Sequence, residues 1–287
     1  MDKRFTPARP DLASAALRGQ VEAARFVEGE AVRVRAPASA LRRGPGDREA
    51  IDTELLFGET ARRFDVSANG WAWVQSDRDG YVGYVDAAAL EPAPDVPPEG
   101  FARRRIAAPV APVYDRPSAK AAPGVQLSMN AAVDVAEAAG GFWRLFGGGY
   151  LFGAMLAEET AAEPDYVATA KQFLGAPYVW GGRQGMGLDC SGLVQAAFYR
   201  ARRPCPRDSD RQEAEIGEPV ALEARRPGDL VFWRGHVAIL AEDDRIVHAN
   251  GTHMQVTLNP LLAFAEQVAK EVGPITSVRR PGPPPSP

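Results

Sequence analysis

The sequence predicts two small β-barrels followed by an α+β domain, and three observations lead to that prediction. Short strand-like runs fill residues 31–90, and Asn69-Gly70 and Asp79-Gly80 are turn pairs that separate the runs 55–59, 71–74 and 81–85. A similar order of runs returns roughly 70 residues later, which indicates two tandem copies of one barrel. From residue 165 onward, two helical patterns precede several strand-like runs, which is typical of a domain whose helices lie apart from its sheet.

Composition limits the possible partners and compartments. The chain of 287 residues has a net charge of −4 from 33 basic and 37 acidic side chains, so nucleic acid is not expected as a main partner. No apolar run reaches 18 residues, so no membrane span is expected. The first 20 residues lack the apolar segment of a secretory signal, and two cysteines do not make a disulfide framework. These features predict a cytoplasmic protein with reduced thiols, and they leave the oligomeric state open.

The predicted domain boundaries follow from shifts in composition. Residues 1–30 form an arm that either lies along another domain or is partly disordered. The first barrel covers 31–91, and a semi-rigid linker with four prolines follows it up to residue 100. The second barrel covers 100–158 and the α+β domain 163–280. The proline-rich end, 281–287, is expected to be disordered.

The second helical pattern of the α+β domain begins with a cysteine. Cys190 opens an apolar pattern that continues through Leu193, Val194, Ala197 and Phe198 and predicts one helix face over 190–201. Asp189 lies at the N-cap position, so the helix dipole is expected to favour the thiolate of Cys190. The alternative is that Cys190 is a small buried hydrophobic residue. Four glycines within residues 181–187 argue against that alternative, and they are expected to let a substrate backbone approach the thiol.

Two of the three histidines lie in neighbouring strand-like runs. His236 begins the run 236–240, and His248 lies in the run 245–249, with an acidic turn between them. If the connecting loop has an odd number of residues, position 238 lies opposite 248, and the two histidines share a face as diagonal neighbours. A catalytic pair therefore predicts an odd loop. His253 is interpreted as a surface or loop residue.

These residues supply the parts of a nucleophilic mechanism. Cys190 would attack a carbonyl, His236 would take the thiol proton, and His248 would hold the base in one tautomer. Backbone N–H groups at the helix start, including that of Cys190, would form the oxyanion hole. The alternatives are two core histidines, or a metal site that includes Cys205. The chain lacks a C-x2-C or H-x3-H spacing, so no metal and no cofactor are predicted.

Five motifs in residues 165–275 resemble the NlpC-like family of papain-fold cysteine peptidases, which cut bacterial cell-wall peptides. The motifs are Pro177-Tyr178-Val179-Trp180-Gly181-Gly182, Leu188-Asp189-Cys190-Ser191-Gly192, Arg207-Asp208-Ser209-Asp210-Arg211-Gln212, Pro227-Gly228-Asp229-Leu230-Val231-Phe232 and His236-Val237-Ala238-Ile239. The resemblance implies a catalytic triad of Cys190, His236 and His248.

The two barrels resemble bacterial SH3-like domains, and the whole order resembles the γ-D-glutamyl-L-diamino acid endopeptidases. That resemblance implies hydrolysis of murein tripeptides or tetrapeptides with a free N-terminal L-Ala, in cell-wall peptide recycling. It assigns the amine contact to Glu59, with Tyr81 as its companion. The remaining substrate contacts implied by the family are Tyr178, Trp180, Asp189, Ser191, Asp208 and Ser209.

Two other functions fit the same sequence pattern. The barrels could serve a murein-binding protein whose peptidase domain is inactive, although the intact Cys-His-His set argues against it. The chain could also be an amidase, endopeptidase or acyltransferase of the same fold that acts on intact peptidoglycan. The sequence does not decide between diaminopimelate and lysine at the third substrate residue.

Overall fold

A computed structural model describes residues 1–283, which form two compact units, Met1–Glu159 and a second unit that begins at Thr160. Residues 281–283 lie outside helices and strands. The disorder predicted for the rest of the tail, 284–287, lies outside the described residues. In the described part of the chain, no helix combines the length and apolar character that a membrane crossing requires.

The N-terminal arm packs against the first barrel. Strands β1 (Ala13–Ser14) and β2 (Phe26–Val27) pair in parallel. Leu12 is fully buried in a cluster with Phe64 and Trp73 of the barrel. An arm that lies along a neighbouring domain, the first of the two alternatives, is therefore confirmed.

The first barrel is a seven-stranded antiparallel sheet in the order β5-β4-β8-β7-β6-β3-β9. Its strands are β3 (Glu30–Val34), β4 (Ala38–Arg42), β5 (Ile51–Leu56), β6 (Thr60–Val66), β7 (Trp71–Ser76), β8 (Val82–Asp86) and β9 (Leu90–Pro92). Alternate residues of these strands, including Val32, Leu41 and Val74, fill the core. The sequence pattern treats 55–59 as one strand-like run, and this is wrong. Gly58 has φ +74°, so the chain turns there between β5 and β6.

The second barrel has the same strand order, which is the topology that a tandem duplication predicts. Its sheet runs β12-β11-β15-β14-β13-β10-β16. The strands are β10 (Ala102–Ile106), β11 (Val110–Tyr114), β12 (Pro123–Ser128), β13 (Ala132–Glu137), β14 (Phe142–Leu145), β15 (Tyr150–Phe152) and β16 (Leu156–Glu158).

The two barrels share a buried contact. Leu56 of the first barrel belongs to the core cluster of the second, and the Ala132 N–H donates to the Phe57 carbonyl at 2.9 Å. Buried Asp134 accepts from Arg33 of the first barrel at 2.9 Å and from Arg103 of its own barrel at 2.9 Å. The second barrel is therefore fixed to the first by apolar packing and by a shared carboxylate.

The second unit is an α+β domain, as the sequence predicts. Its helices are α1 (Tyr166–Lys171), α2 (Cys190–Arg200), α3 (Ser209–Glu215) and α4 (Leu261–Val268). Its strands are β17 (Arg183–Gln184), β18 (Gly187–Leu188), β19 (Glu218–Val220), β20 (Leu230–Trp233), β21 (His236–Leu240), β22 (Arg245–Asn250), β23 (Gln255–Pro260) and β24 (Ser277–Arg280). In the first unit, short 3-10 helices occupy Ala15–Leu17, Ala87–Ala89 and Gly153–Met155, and in the second unit they occupy Leu222–Ala224 and Glu242–Asp244.

The large sheet of this domain positions the candidate site. Six antiparallel strands run in the order β19-β24-β20-β21-β22-β23, while β17 and β18 form a separate hairpin. Helix α2 packs against β21 and β22, the two strands that carry the paired histidines. A helix that begins with a cysteine and a sheet that carries histidines therefore meet within one core.

Candidate active site

Helix α2 begins at the candidate nucleophile. The Asp189 Oδ1 accepts a hydrogen bond from the Gly192 N–H at 2.7 Å, so the predicted N-cap is confirmed and Cys190 is the first helical residue. A Cβ atom at Gly192 would lie 2.4 Å from the carbonyl oxygen of Gly182. The glycines therefore let the loop backbone pack directly on the helix start. The predicted approach of a substrate backbone stays a prediction.

A buried arginine holds the same helix end. Arg207 is 1% exposed and donates to both carboxylate oxygens of Asp189, at 3.0 and 2.7 Å. Its Nη1 also donates to the Ser191 hydroxyl at 2.7 Å. The carboxylate accepts a further bond from the Gly181 N–H at 3.0 Å. The cap, the loop and the segment before α3 are thus joined through one ion pair.

The thiol of Cys190 is buried, and its environment differs from the predicted one. The backbone N–H of Val237 hydrogen-bonds the sulfur, which places the thiol beside the strand residue that follows His236. Burial, followed by the negative charge of Asp189, raises the pKa of Cys190 to about 12. Burial and the charge of Asp189 therefore oppose the thiolate that the helix dipole is predicted to favour.

The histidine pair lies on β21 and β22 in the register that the odd-loop prediction requires. Leu240 pairs with Ile246, so five residues connect the paired ends, and position 238 lies opposite 248. The Nε2 of His236 lies 2.8 Å from the Nδ1 of His248. The predicted register is confirmed.

Apolar rings surround this pair and shift its titration. Phe264 of α4 meets the His248 ring edge to face at 4.4 Å between centroids, and Trp233 lies 5.6 Å from the His236 ring. Burial, with His248 as the second cause, lowers the pKa of His236 to about 3. Burial likewise lowers the pKa of His248 to about 4. Both rings are therefore neutral at pH 7.

These pKa shifts define the resting form of the site. The neutral thiol lies at the backbone N–H of Val237, the residue after His236, so the neutral imidazole of His236 can serve as a general base that takes the proton as the sulfur attacks. A neutral imidazole has one bare nitrogen, which can accept that proton. The hydrogen bond to His248 determines which nitrogen of His236 stays bare.

The predicted substrate contacts in this domain form three groups: Tyr178 and Trp180 in the loop before β17, Asp208 and Ser209 at the start of α3, and Asp189 and Ser191 at the start of α2. Tyr178 is half-buried, and its pKa is raised by burial and then by Cys190, which places its hydroxyl near the thiol. Trp180 is 71% exposed on the loop before β17. Asp208 lies at the N-cap position of α3 and Ser209 begins that helix, so the polar run that alone would suggest a solvated turn is partly helical.

Asp189 and Ser191 form the third group, since both side chains are bonded internally. Ser191 donates to Asp189 at 3.2 Å, and both contact Arg207. Their side chains hold the helix start in this structure. Their contact with substrate stays a prediction, like the contacts predicted for Tyr178, Trp180, Asp208 and Ser209.

The two predicted amine contacts lie in the other unit. Glu59 is 2% exposed in the turn between β5 and β6, accepts from the Leu56 N–H at 3.0 Å and pairs with Arg78 at 2.6 Å. Tyr81 is 3% exposed, and its ring meets Phe5 at 5.1 Å. A cation already partners Glu59, which the sequence reasoning missed. The roles of Glu59 and Tyr81 with substrate stay predictions.

Three other residues of the site escaped the sequence reasoning. Arg207 belongs to the third family motif, but the sequence alone assigns it no role, although an arginine in a polar run can partner an N-cap aspartate. Asn259, which contacts His248 at 3.2 Å, shares a face of β23 with Thr257, and the alternation of that strand is the signal that could have found it. Phe264 belongs to a helix that the sequence reasoning did not predict.

His253 lies in the exposed turn before β23, as predicted for a surface or loop residue. In the described chain, 1–283, no group of three or more His, Cys, Asp or Glu side chains could hold a metal ion.

A cysteine at the start of a helix, packed against an antiparallel sheet that carries a hydrogen-bonded histidine pair, defines a papain-like cysteine peptidase domain. Comparisons with known proteins give the family. Residues 175–270 match the NlpC/P60 family, and residues 41–90 match the bacterial dipeptidyl-peptidase SH3 domain. Residues 175–270 therefore form an NlpC/P60 domain and residues 41–90 an SH3-like domain, and the chain is a cysteine peptidase, a hydrolase.

Individual relatives support this assignment. A γ-D-glutamyl-L-lysine dipeptidyl-peptidase of Bacillus subtilis is 26% identical over 234 residues, which cover 72% of this chain and 75% of that protein. Dipeptidyl-peptidase 6 of Lysinibacillus sphaericus is 34% identical over 104 residues, which cover 36% of this chain and 38% of that protein. The crystal structure of an NlpC/P60 family protein from Bacillus cereus has a TM-score of 0.73 at 20% identity, covering 88% of this chain and all of that chain. This last likeness concerns the fold alone.

Proposed function

We propose that the chain hydrolyses the γ-D-glutamyl-L-diamino acid bond of murein peptides with a free N-terminal L-Ala, and that it acts in the cytoplasmic recycling of cell-wall peptides. The observation that carries the proposal is the buried Cys190 beside the hydrogen-bonded pair of His236 and His248. The name of the Bacillus subtilis relative supplies the γ-D-glutamyl bond, and both relatives are named as dipeptidyl-peptidases.

The reaction would proceed in two steps. The sulfur of Cys190 attacks the γ-carbonyl carbon of D-Glu while the Nδ1 of His236 takes the thiol proton. The C–N bond breaks, and the protonated His236 gives that proton to the leaving amine of the diamino acid. Water then attacks the thioester, assisted by His236 as base, and releases L-Ala-D-Glu with the free thiol.

The neutral resting pair suits this sequence of steps. Since burial raises the pKa of the thiol and lowers that of His236, it disfavours both charged forms, so the proton transfer would accompany the attack on the substrate carbonyl. The N–H groups at the start of α2 would then stabilise the oxyanion, as the sequence predicts for Cys190.

A panel of three substrates tests the proposal. The free tripeptide L-Ala-γ-D-Glu-diaminopimelate, its N-acetylated form and intact peptidoglycan are incubated separately with the protein, and products are identified by mass spectrometry. Cleavage confined to the free tripeptide is expected. Equal cleavage of the acetylated form would contradict the requirement for a free amine, and release from intact peptidoglycan would favour the alternative endopeptidase or amidase.

Glu59 can be tested with a matched pair of variants. Glu59→Gln is expected to raise the KM for the free tripeptide, but it also removes the carboxylate charge that pairs with the half-buried Arg78. The double variant Glu59→Gln/Arg78→Gln removes that imbalance and should retain the raised KM if Glu59 binds the amine. A double variant with the wild-type KM would contradict this role.

A further inference from the structure

A polar network extends from the histidine pair along strands β22 and β23. His248 pairs with Thr257 across the two strands, and Asn250 pairs with Gln255. The side chains of Asn250, Thr257 and Asn259 lie within hydrogen-bond distance of one another or of His248. The direction of each hydrogen bond can be deduced from a backbone group at the end of the network.

The network begins at a group that can only donate. The backbone N–H of His253 lies 2.9 Å from one side-chain atom of Asn250, which must therefore be the amide oxygen. The amide nitrogen of Asn250 then faces Thr257 and donates to its hydroxyl at 2.8 Å. The carbonyl oxygen of Gln255, 3.4 Å from the same nitrogen, agrees with this orientation.

The hydroxyl proton of Thr257 has one partner in this network. The Thr257 oxygen lies 2.5 Å from a side-chain atom of Asn259. That separation belongs to an O–H···O bond and is short for N–H···O, so the Asn259 atom is the amide oxygen and Thr257 donates to it. The same oxygen of Asn259 lies 3.2 Å from the Nε2 of His248.

An amide oxygen only accepts, so the Nε2 of His248 carries its proton and its Nδ1 is bare. The bare Nδ1 lies 2.8 Å from the Nε2 of His236, which must then donate. His236 in turn keeps its proton on Nε2 and leaves Nδ1 free to accept another.

We propose that Asn259 is a positioning residue that fixes the tautomers of His248 and His236, so that the bare nitrogen of His236 is the one available to the thiol. The catalytic meaning of this inference rests on the proposed function, whereas the tautomers themselves do not. Asn259 acts through His248. The hydrogen bonds from Asn250 to Thr257 and from Thr257 to Asn259 keep the Asn259 oxygen turned toward the His248 ring.

Removal of the Asn259 amide oxygen should move the ring protons of His248 and His236 from Nε2 to Nδ1. In Asn259→Leu the Nε2 of His248 retains only the Asn250 amide nitrogen, 3.4 Å away, which favours a bare Nε2. The proton of His248 would then lie on the Nδ1 of His248 and be donated to the Nε2 of His236. The proton of His236 would in turn lie on the Nδ1 of His236. A base protonated on that nitrogen cannot accept the thiol proton.

Imidazole ¹⁵N NMR at pH 7 on the Cys190→Ala protein tests the tautomers without any reaction. The chain has three histidines, and His253 serves as an internal reference because its Nδ1 donates to the Asn250 oxygen at 2.9 Å. The expected result is an Nε2–H tautomer for His236 and His248 and an Nδ1–H tautomer for His253. An Nδ1–H tautomer of His248 would overturn the proposal.

Kinetics of Cys190-intact variants complete the test. Asn259→Leu should lower kcat by at least about tenfold with little change in KM, because a wrong tautomer disables the base. Asn259→Asp keeps an acceptor, so it should retain the wild-type tautomers and shift the acid limb of the kcat/KM profile to higher pH. Unchanged tautomers and kcat in Asn259→Leu would overturn the proposal. If the NMR result holds but no murein peptide is cleaved, the proposed function fails and the tautomer assignment stands.

Discussion

Replacement of Arg207 by methionine tests how the helix start is held. Methionine removes the guanidinium while leaving a chain of similar length in the buried site. The carboxylate of Asp189, itself only 7% exposed, would lose its cation and two of its hydrogen bonds. Loss of one partner of a buried ion pair costs about 3–5 kcal/mol, a large share of the roughly 5–15 kcal/mol that stabilise a typical domain.

Urea unfolding at pH 7 measures this loss, and Arg211→Met provides the matched control. Arg211 forms an exposed pair with Glu215 one turn along α3, so its replacement should cost less than about 1 kcal/mol. In the double variant Asp189→Asn/Arg207→Met the uncompensated charge is absent. Its loss of unfolding free energy should therefore be smaller than the sum of the two single losses by about 1 kcal/mol or more.

The same substitution also has a chemical readout. The charge of Asp189 raises the pKa of Cys190 and the charge of Arg207 lowers it. Without Arg207 the pKa of the thiol should rise further, and kcat/KM should fall in the fraction of protein that stays folded. If Arg207→Met unfolds at the same urea concentration as Arg211→Met, the ion pair does not hold the helix start and the reasoning is refuted.

Three further predictions concern the same domain. The pKa of His248 is lowered from 6.5 to about 4, so below pH 6.5 the unfolded state binds more protons at this residue, and His248 alone should lower the free energy of unfolding by about 2 kcal/mol between pH 7 and pH 5. His236, whose pKa is also lowered, adds to this fall, and His248→Gln should remove the His248 contribution in urea titrations. Gly192→Ala would place a Cβ 2.4 Å from the Gly182 carbonyl oxygen and should cost about 1–3 kcal/mol in the same assay, and a neutral result would contradict the backbone packing at the helix start. Phe264→Ala should cost about 3–5 kcal/mol and, by admitting water, raise the pKa of His248 toward its ordinary value, which NMR titration would detect.

The parts of the fold that local patterns control were predictable from the sequence. The apolar spacing after Cys190 and the cap at Asp189 determine α2, which ends one residue before the predicted end. The two histidine strands follow from their short apolar runs, and the strand pairing Leu240–Ile246 has the register that a shared face requires. Each of these features depends on residues close together in the sequence.

The parts that depend on distant residues were missed. The tight turn at Gly58 divides an apolar run, because the barrel requires a reversal that the run itself does not reveal. The burial that raises the pKa of Cys190 was also missed, since the N-cap at Asp189 is visible in the sequence and the burial of the thiol is not. Arg207 lies 18 residues from Asp189, and only the folded chain brings them together.

Product analysis with the nucleophile removed tests the central claim most directly. L-Ala-γ-D-Glu-L-Lys and its diaminopimelate counterpart are incubated with the wild-type protein and with Cys190→Ala, and the products are identified by mass spectrometry. The wild type is expected to release L-Ala-D-Glu and the free diamino acid, while Cys190→Ala releases neither. Cleavage at another bond, or the same products from Cys190→Ala, would contradict the assignment of Cys190 as the nucleophile of a γ-D-glutamyl peptidase.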